Sequence, residues 1–143
     1  MVLVLITTGC GFDDALTRRG FVKEGDAICG QTVVSAAIEL QSDPSSSPAT
    51  SNQFLGTIGQ AYGSAAARFR ELEVHEEDMV MKDHIVSEFT SISNGLSGAA
   101  ASAASGDPSA ATEANQVFVE ARRTQQEIAD YGFDICGESL SAR

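Results

Sequence analysis

The chain has 143 residues, room for one domain, and carries 9 Lys and Arg against 20 Asp and Glu for a net charge of −11. That balance argues against nucleic acid as a partner, because neutralising phosphates needs a basic stripe, and against electrostatic adsorption to anionic lipid. Trp is absent and aromatics are 6%, which leaves no stacking platform for sugars or bases, and no cofactor is expected.

Taken in chain order, Met1 to Ile6 (MVLVLI) are wholly apolar and are followed by Thr7, Thr8, Gly9 and Cys10. An apolar run ending in a small residue and then Cys resembles the lipobox that closes a bacterial lipoprotein signal peptide. In that family the signal is cut before the Cys, whose thiol and amine are acylated. The resemblance implies that residues 1–9 are part of a signal segment and that Cys10 is lipidated. Thr7 stands where the family usually has Leu. The segment lacks a cationic n-region and is shorter than the roughly 15–30 residues of a usual export signal, which on this reading puts the signal's start upstream. Six apolar residues fall far short of the roughly 20 that span a bilayer. Plain secretion or a single anchor segment, and a cytoplasmic chain, are the alternatives; the apolar run could also be a buried N-terminal strand, although no strand partner is visible. Residues 10–20 are polar, with Gly11 and Gly20 near the ends, and read as a tether of at most about 35 Å.

From residue 21 the apolar spacing is helical. Val22, Cys29, Val33, Ala36 and Leu40 form the stripe of a first helix, which ends before QSDPSSSPAT (41–50), a loop with two prolines. Thr50 and Gln53 match a capping box opening a second helix, whose stripe is Phe54, Ile58, Ala61, Ala65, Phe69 and Leu72. Gly56, Gly59 and Gly63 lie within it and suggest close approach to the Ala-rich helices that follow. In the third helix Ile85, Phe89, Ile92, Leu96, Ala99 and Ala103 alternate four and three. Gly106, Asp107 and Pro108 then read as stop, N-cap and first-turn proline. The fourth helix carries Ala110, Ala114, Val117, Ala121, Ile128 and Tyr131, with Gly132 and Phe133 as the C′ and C″ residues of a Schellman motif. Nothing alternates with period two, so no sheet is expected. The fold class is all-α: an antiparallel up-down-up-down four-helix bundle over residues 21–137, followed by a C-terminal tail at 138–143. Phe54, Phe69, Ile85, Phe89, Ile92, Leu96, Val117 and Ile128 are the expected core.

The residues that could carry chemistry do not assemble into a known pattern. Glu71, Glu73, Glu76, Glu77 and Asp78 surround His75, but match neither an EF-hand loop nor H-E-x-x-H. They read instead as acids at the positive end of the third helix. His84 and Glu88 are spaced to pair on one helix face. Gly95-Leu96-Ser97-Gly98 falls one residue short of a nucleophile elbow and lies in a helix. No catalytic residue and no metal ligand is assigned, and the chain is read as not an enzyme.

Two further segments, FVKEGDAICG (21–30) and YGFDICG (131–137), resemble the opening "Y-V-x-x-A-D-A-I-C" and closing "Y-G-x-x-x-C-G" of small exported helical proteins from high-GC Gram-positive bacteria. The resemblance covers residues 21–137 and implies no activity. With Cys10 set aside, Cys29 and Cys136 are an even pair in an exported chain, at positions that an up-down-up-down bundle brings to one end. A disulfide between them is expected. Two free thiols in a cytoplasmic bundle are the other reading. The function that follows is a non-catalytic lipoprotein at the outer face of the cell membrane, held through its lipid anchor and presenting an interaction or structural module to an unknown envelope partner. The alternative is an extracytoplasmic bundle that binds a small ligand or metal, recognisable by an apolar groove or a pocket of convergent polar groups.

Overall fold

The structure, a computed structural model, describes residues 15–41 and 52–138. The signal segment 1–9, Cys10, the loop prolines Pro44 and Pro48, Thr50 and the tail beyond Glu138 lie outside the described residues. Within them the chain is all-helical and has no strand. The elements are α1 (Arg18–Cys29), a π turn (Gly30–Val34), α2 (Ser35–Gln41), α3 (Asn52–Glu71), α4 (Glu76–Ala104), α5 (Ala110–Tyr131) and the short α6 (Ile135–Glu138).

The first helix starts earlier than its apolar stripe suggests. Thr17 is extended (φ −63°, ψ 160°) and its hydroxyl accepts the Gly20 N–H, so α1 opens at Arg18. Leu16 is held as well: its N–H donates to Glu73 at 2.7 Å, and its carbonyl accepts from His75 at 3.4 Å. This makes an isolated parallel bridge between Leu16 and Val74. The segment read as a tether over 10–20 is therefore shorter, because from Leu16 onward it belongs to the body. A good cap and one apolar side chain were enough to fix it.

Further along, α1 runs into the π turn, where the Thr32 hydroxyl donates to the Ile28 carbonyl (2.7 Å) and the Ser35 hydroxyl to that of Gly30 (2.8 Å). The wider turn shifts the buried face. Phe21, Gly25, Ile28 and Cys29 point inward before it and Val33 within it. Val22, expected on the stripe, is only half-buried.

α3 and α4 are antiparallel neighbours: Gly59 of α3 faces Leu96 and Ser97, Gly63 faces Ser93, and Phe69 meets Phe89. A Cβ on Gly59 would lie 3.2 Å from the Ser93 carbonyl oxygen, which is the close approach those glycines suggest. α5 returns along α4, with Val117 against Gly95, Thr124 donating to Glu88 (3.1 Å) and Tyr131 reaching Asp78. The four-three stripe of α4 is buried from Ile85 to Ala99. Phe69 and Ile128 are buried as expected, whereas Phe54 and Val117 are only partly so, and Leu55 takes the deeper place beside Phe54.

Both α4 and α5 end on a glycine with positive φ, Gly106 at 75° and Gly132 at 125°. In each case the glycine N–H and the next N–H bond back to Ala103 and Ser102, and to Ala129 and Ile128, the Schellman pattern. Phe133 is the buried C″ residue, as expected. The regular part of α5 begins at Ala110, and Asp107 caps the turn that leads into it: its carboxylate accepts the Ser109 N–H at 2.9 Å and its carbonyl the Ala110 N–H at 3.2 Å.

Candidate functional site at the disulfide end

The Schellman turn at Gly132 sends the chain back onto α1. There Phe133 fills the space that a side chain at position 25 would occupy, since a Cβ on Gly25 would come within 2.3 Å of its ring. Next to Gly25, the Asp26 carboxylate accepts three consecutive backbone N–H groups, from Asp134 (3.1 Å), Ile135 (2.8 Å) and Cys136 (3.0 Å). These open α6, the four-residue helix absent from the sequence reading, and satisfy donors that a helix start leaves free. One turn of α1 beyond Asp26 stands Cys29, whose Cα is 5.3 Å from that of Cys136 across a disulfide. Both half-cystines are fully buried. The pairing expected from the sequence is present.

A second set of contacts joins the point where the described chain begins to the end of α5. The Arg18 guanidinium lies 4.2 Å over the centroid of the Tyr131 ring and donates to the Tyr131 carbonyl at 3.0 Å. The Tyr131 hydroxyl donates to Asp78 in the first turn of α4. Asp78 is 1% exposed, and its Oδ2 has no hydrogen-bond partner among the described residues. Burial first, then the hydrogen bond and charge of Asp78, push the Tyr131 hydroxyl up to about 12, against a smaller opposing pull from Arg18. Phe21, Phe69 and Phe133 pack edge-on behind this pair, Phe21 and Phe133 at 5.2 Å between centroids.

The acidic turn holds no assembled site. Glu76, Glu77 and Asp78 occupy the first turn of α4, where the sequence put them, and His75 precedes it. With Thr17 and Arg18, His75, Glu76 and Glu77 line a shallow depression open to solvent. Among the described residues no three His, Cys, Asp or Glu side chains are grouped as metal ligands. His84 pairs with Glu127 of α5 at 2.8 Å rather than with Glu88, because antiparallel packing brings α5 alongside. Ser97 lies at the α3–α4 contact beside Gly59. Asp107 is held below the usual carboxylate range by the Ser109 N–H and hydroxyl.

Of the expected site residues, the structure brings Cys29 and Cys136 together, and Cys10 lies outside the described residues. Sequence reading missed Asp26, Arg18 and the Asp78–Tyr131 pair. Asp26 stood inside the DAICG segment, one turn before a cysteine, but its partners are backbone groups more than a hundred residues away. No helix among the described residues is long and apolar enough to cross a membrane. No protein-family model, curated protein or solved structure matches this chain.

Proposed function

We propose that the chain is a non-catalytic lipoprotein of the cell envelope, anchored at the outer face of the membrane through acylated Cys10 and presenting its helical body to an envelope protein. The body is an antiparallel up-down-up-down four-helix bundle closed by one disulfide. The observation that carries this reading is the buried Cys29–Cys136 bond. A structural disulfide suits an oxidising compartment, and its two partners leave Cys10 as the remaining thiol, directly after the apolar run MVLVLI and its small residues.

Two further observations support it. Leu16 and Arg18 are fastened to the turn before α4 and to Tyr131, so only the residues between Cys10 and Leu16 would separate lipid from body, an extended reach of about 20 Å. The helix interfaces are filled by interlocked aromatic rings and by close glycine contacts. Both features fit a rigid module held near the membrane and recognised from outside.

The test is fractionation followed by capture. Expressed from its natural start in an actinobacterial host, the protein is expected in the membrane fraction, and Cys10→Ala is expected in the soluble or secreted fraction. Crosslinking of the intact lipoprotein on cells is expected to recover a defined envelope partner. A wild-type chain found in the cytosol would refute the reading.

A further inference from the structure

We infer that Asp26 is the positioning residue for the disulfide: it docks the Cys136 segment onto α1 without the covalent bond and so presents Cys136 to Cys29. The geometry is specific to that task. Its carboxylate takes the N–H groups of Asp134, Ile135 and Cys136 at 2.8–3.1 Å, so one side chain fixes the backbone of the half-cystine itself. The neighbouring Gly25 seats the Phe133 ring, and its carbonyl oxygen lies 3.3 Å from the Cys136 sulfur. Charge-assisted hydrogen bonds to a carboxylate are among the stronger ones a protein makes. These three replace the partners that the first N–H groups of a short helix otherwise lack.

The consequence concerns how the bond forms and how it resists reduction. Against a low-molecular-weight disulfide, one protein thiolate attacks a sulfur of the small disulfide and releases one small thiol. The second protein thiolate then attacks the mixed disulfide and releases the other, leaving the Cys29–Cys136 bond and two reduced small thiols. Docking by Asp26 acts on the second attack, because it holds the two protein sulfurs together before they are joined. The same contacts oppose the opening through which an external thiol would reach two sulfurs that are fully buried.

The experiment uses the full chain carrying Cys10→Ser, so that only the two bridge thiols remain, equilibrated with reduced and oxidised glutathione. Asp26→Ala is expected to lower the equilibrium constant for bridge formation about tenfold to a hundredfold. Asp26→Asn keeps a neutral acceptor and is expected to fall between, and it serves as the measurement should the Ala variant not fold. Val117→Ala, on α5 against Gly95, acts on both redox forms alike and is expected to leave the constant unchanged. Hydrogen exchange on the reduced chain is the second readout. The amides of Asp134, Ile135 and Cys136 are expected to stay protected with Asp26 present and to lose protection in the reduced Asp26→Asn chain. Three results would overturn the inference: a wild-type constant in both Asp26 variants, an equal fall in Val117→Ala, or loss of protection on reduction alone.

Discussion

The two halves of this molecule are held together by different means. At the disulfide end, Phe21, Phe69, Phe89, Phe133 and Tyr131 form a connected group of rings, with the Cys29–Cys136 bond, Asp26, Asp78 and Arg18 contributed by the same segments. In the far half, α3, α4 and α5 approach closely at Gly59, Gly63 and Gly95, with Ala99 and Ala114 buried alongside the aliphatic Leu55, Ile58, Ile92 and Leu96. Aromatic rings bury much apolar area per residue, whereas the small residues gain by letting backbones approach. The largest effects of truncation should therefore fall among the rings, and the glycine positions of the far half should respond to added volume.

The largest expected effect comes from Phe69→Ala, which empties the centre of the aromatic group: a loss of about 3–5 kcal/mol in denaturant unfolding. A loss under about 1 kcal/mol would mean that the rings are peripheral. Replacing both Cys29 and Cys136 by Ser removes a bridge between residues 107 apart in sequence and should cost about 2–5 kcal/mol. If it costs nothing, the two ends are joined by packing alone.

Smaller and more specific is Tyr131→Phe, which takes from buried Asp78 the one side-chain donor it has among the described residues and should cost about 1–3 kcal/mol. The pH dependence sharpens this. The Tyr131 hydroxyl is raised from 10.0 to about 12 in the folded chain, so its contribution is whole below about pH 10 and disappears as pH rises through about 12. Unfolding measured across that window should show a decline in wild type that Tyr131→Phe lacks, and the phenolate absorbance should titrate late.

The far half supplies two glycine tests of opposite sign. A methyl at Gly95 would come within 2.6 Å of the Val117 side chain, and Gly95→Ala should destabilise by about 1–3 kcal/mol. Gly56 has nothing within 4 Å of its would-be Cβ, and Gly56→Ala should stabilise by about 0.5–1 kcal/mol. Equal effects at both would mean that close packing at Gly95 does not limit the volume allowed there.

How much of this was legible in the sequence depended on how local each cause is. The stripe of α4 and the Schellman turn at Gly132 follow from spacing within one segment, and both are present. Cys29 and Cys136 could be paired because export, an even count once Cys10 is set aside and the expected helix order all pointed to one bridge, and the two are bonded. The π turn was invisible, since its cause is a pair of hydroxyls bonding back to carbonyls, and no periodicity announces that. The α1 start was misplaced because Thr17 and Leu16 act through a cap and a single bridge rather than through a stripe. Asp26, Asp78 and Tyr131 are polar residues with partners on distant segments. A single sequence shows such residues without showing what they meet.

The proposed lipid anchor turns on Cys10, and the most direct measurement is the mass of the mature N-terminus. The full chain is expressed in a bacterial host that processes lipoproteins, purified from membranes and digested. The expected result is an N-terminal fragment that begins at Cys10 and carries acyl mass on that residue, with Cys29 and Cys136 recovered in one linked fragment under non-reducing conditions. An unmodified Cys10 within an uncleaved chain that still carries MVLVLITTG would contradict it.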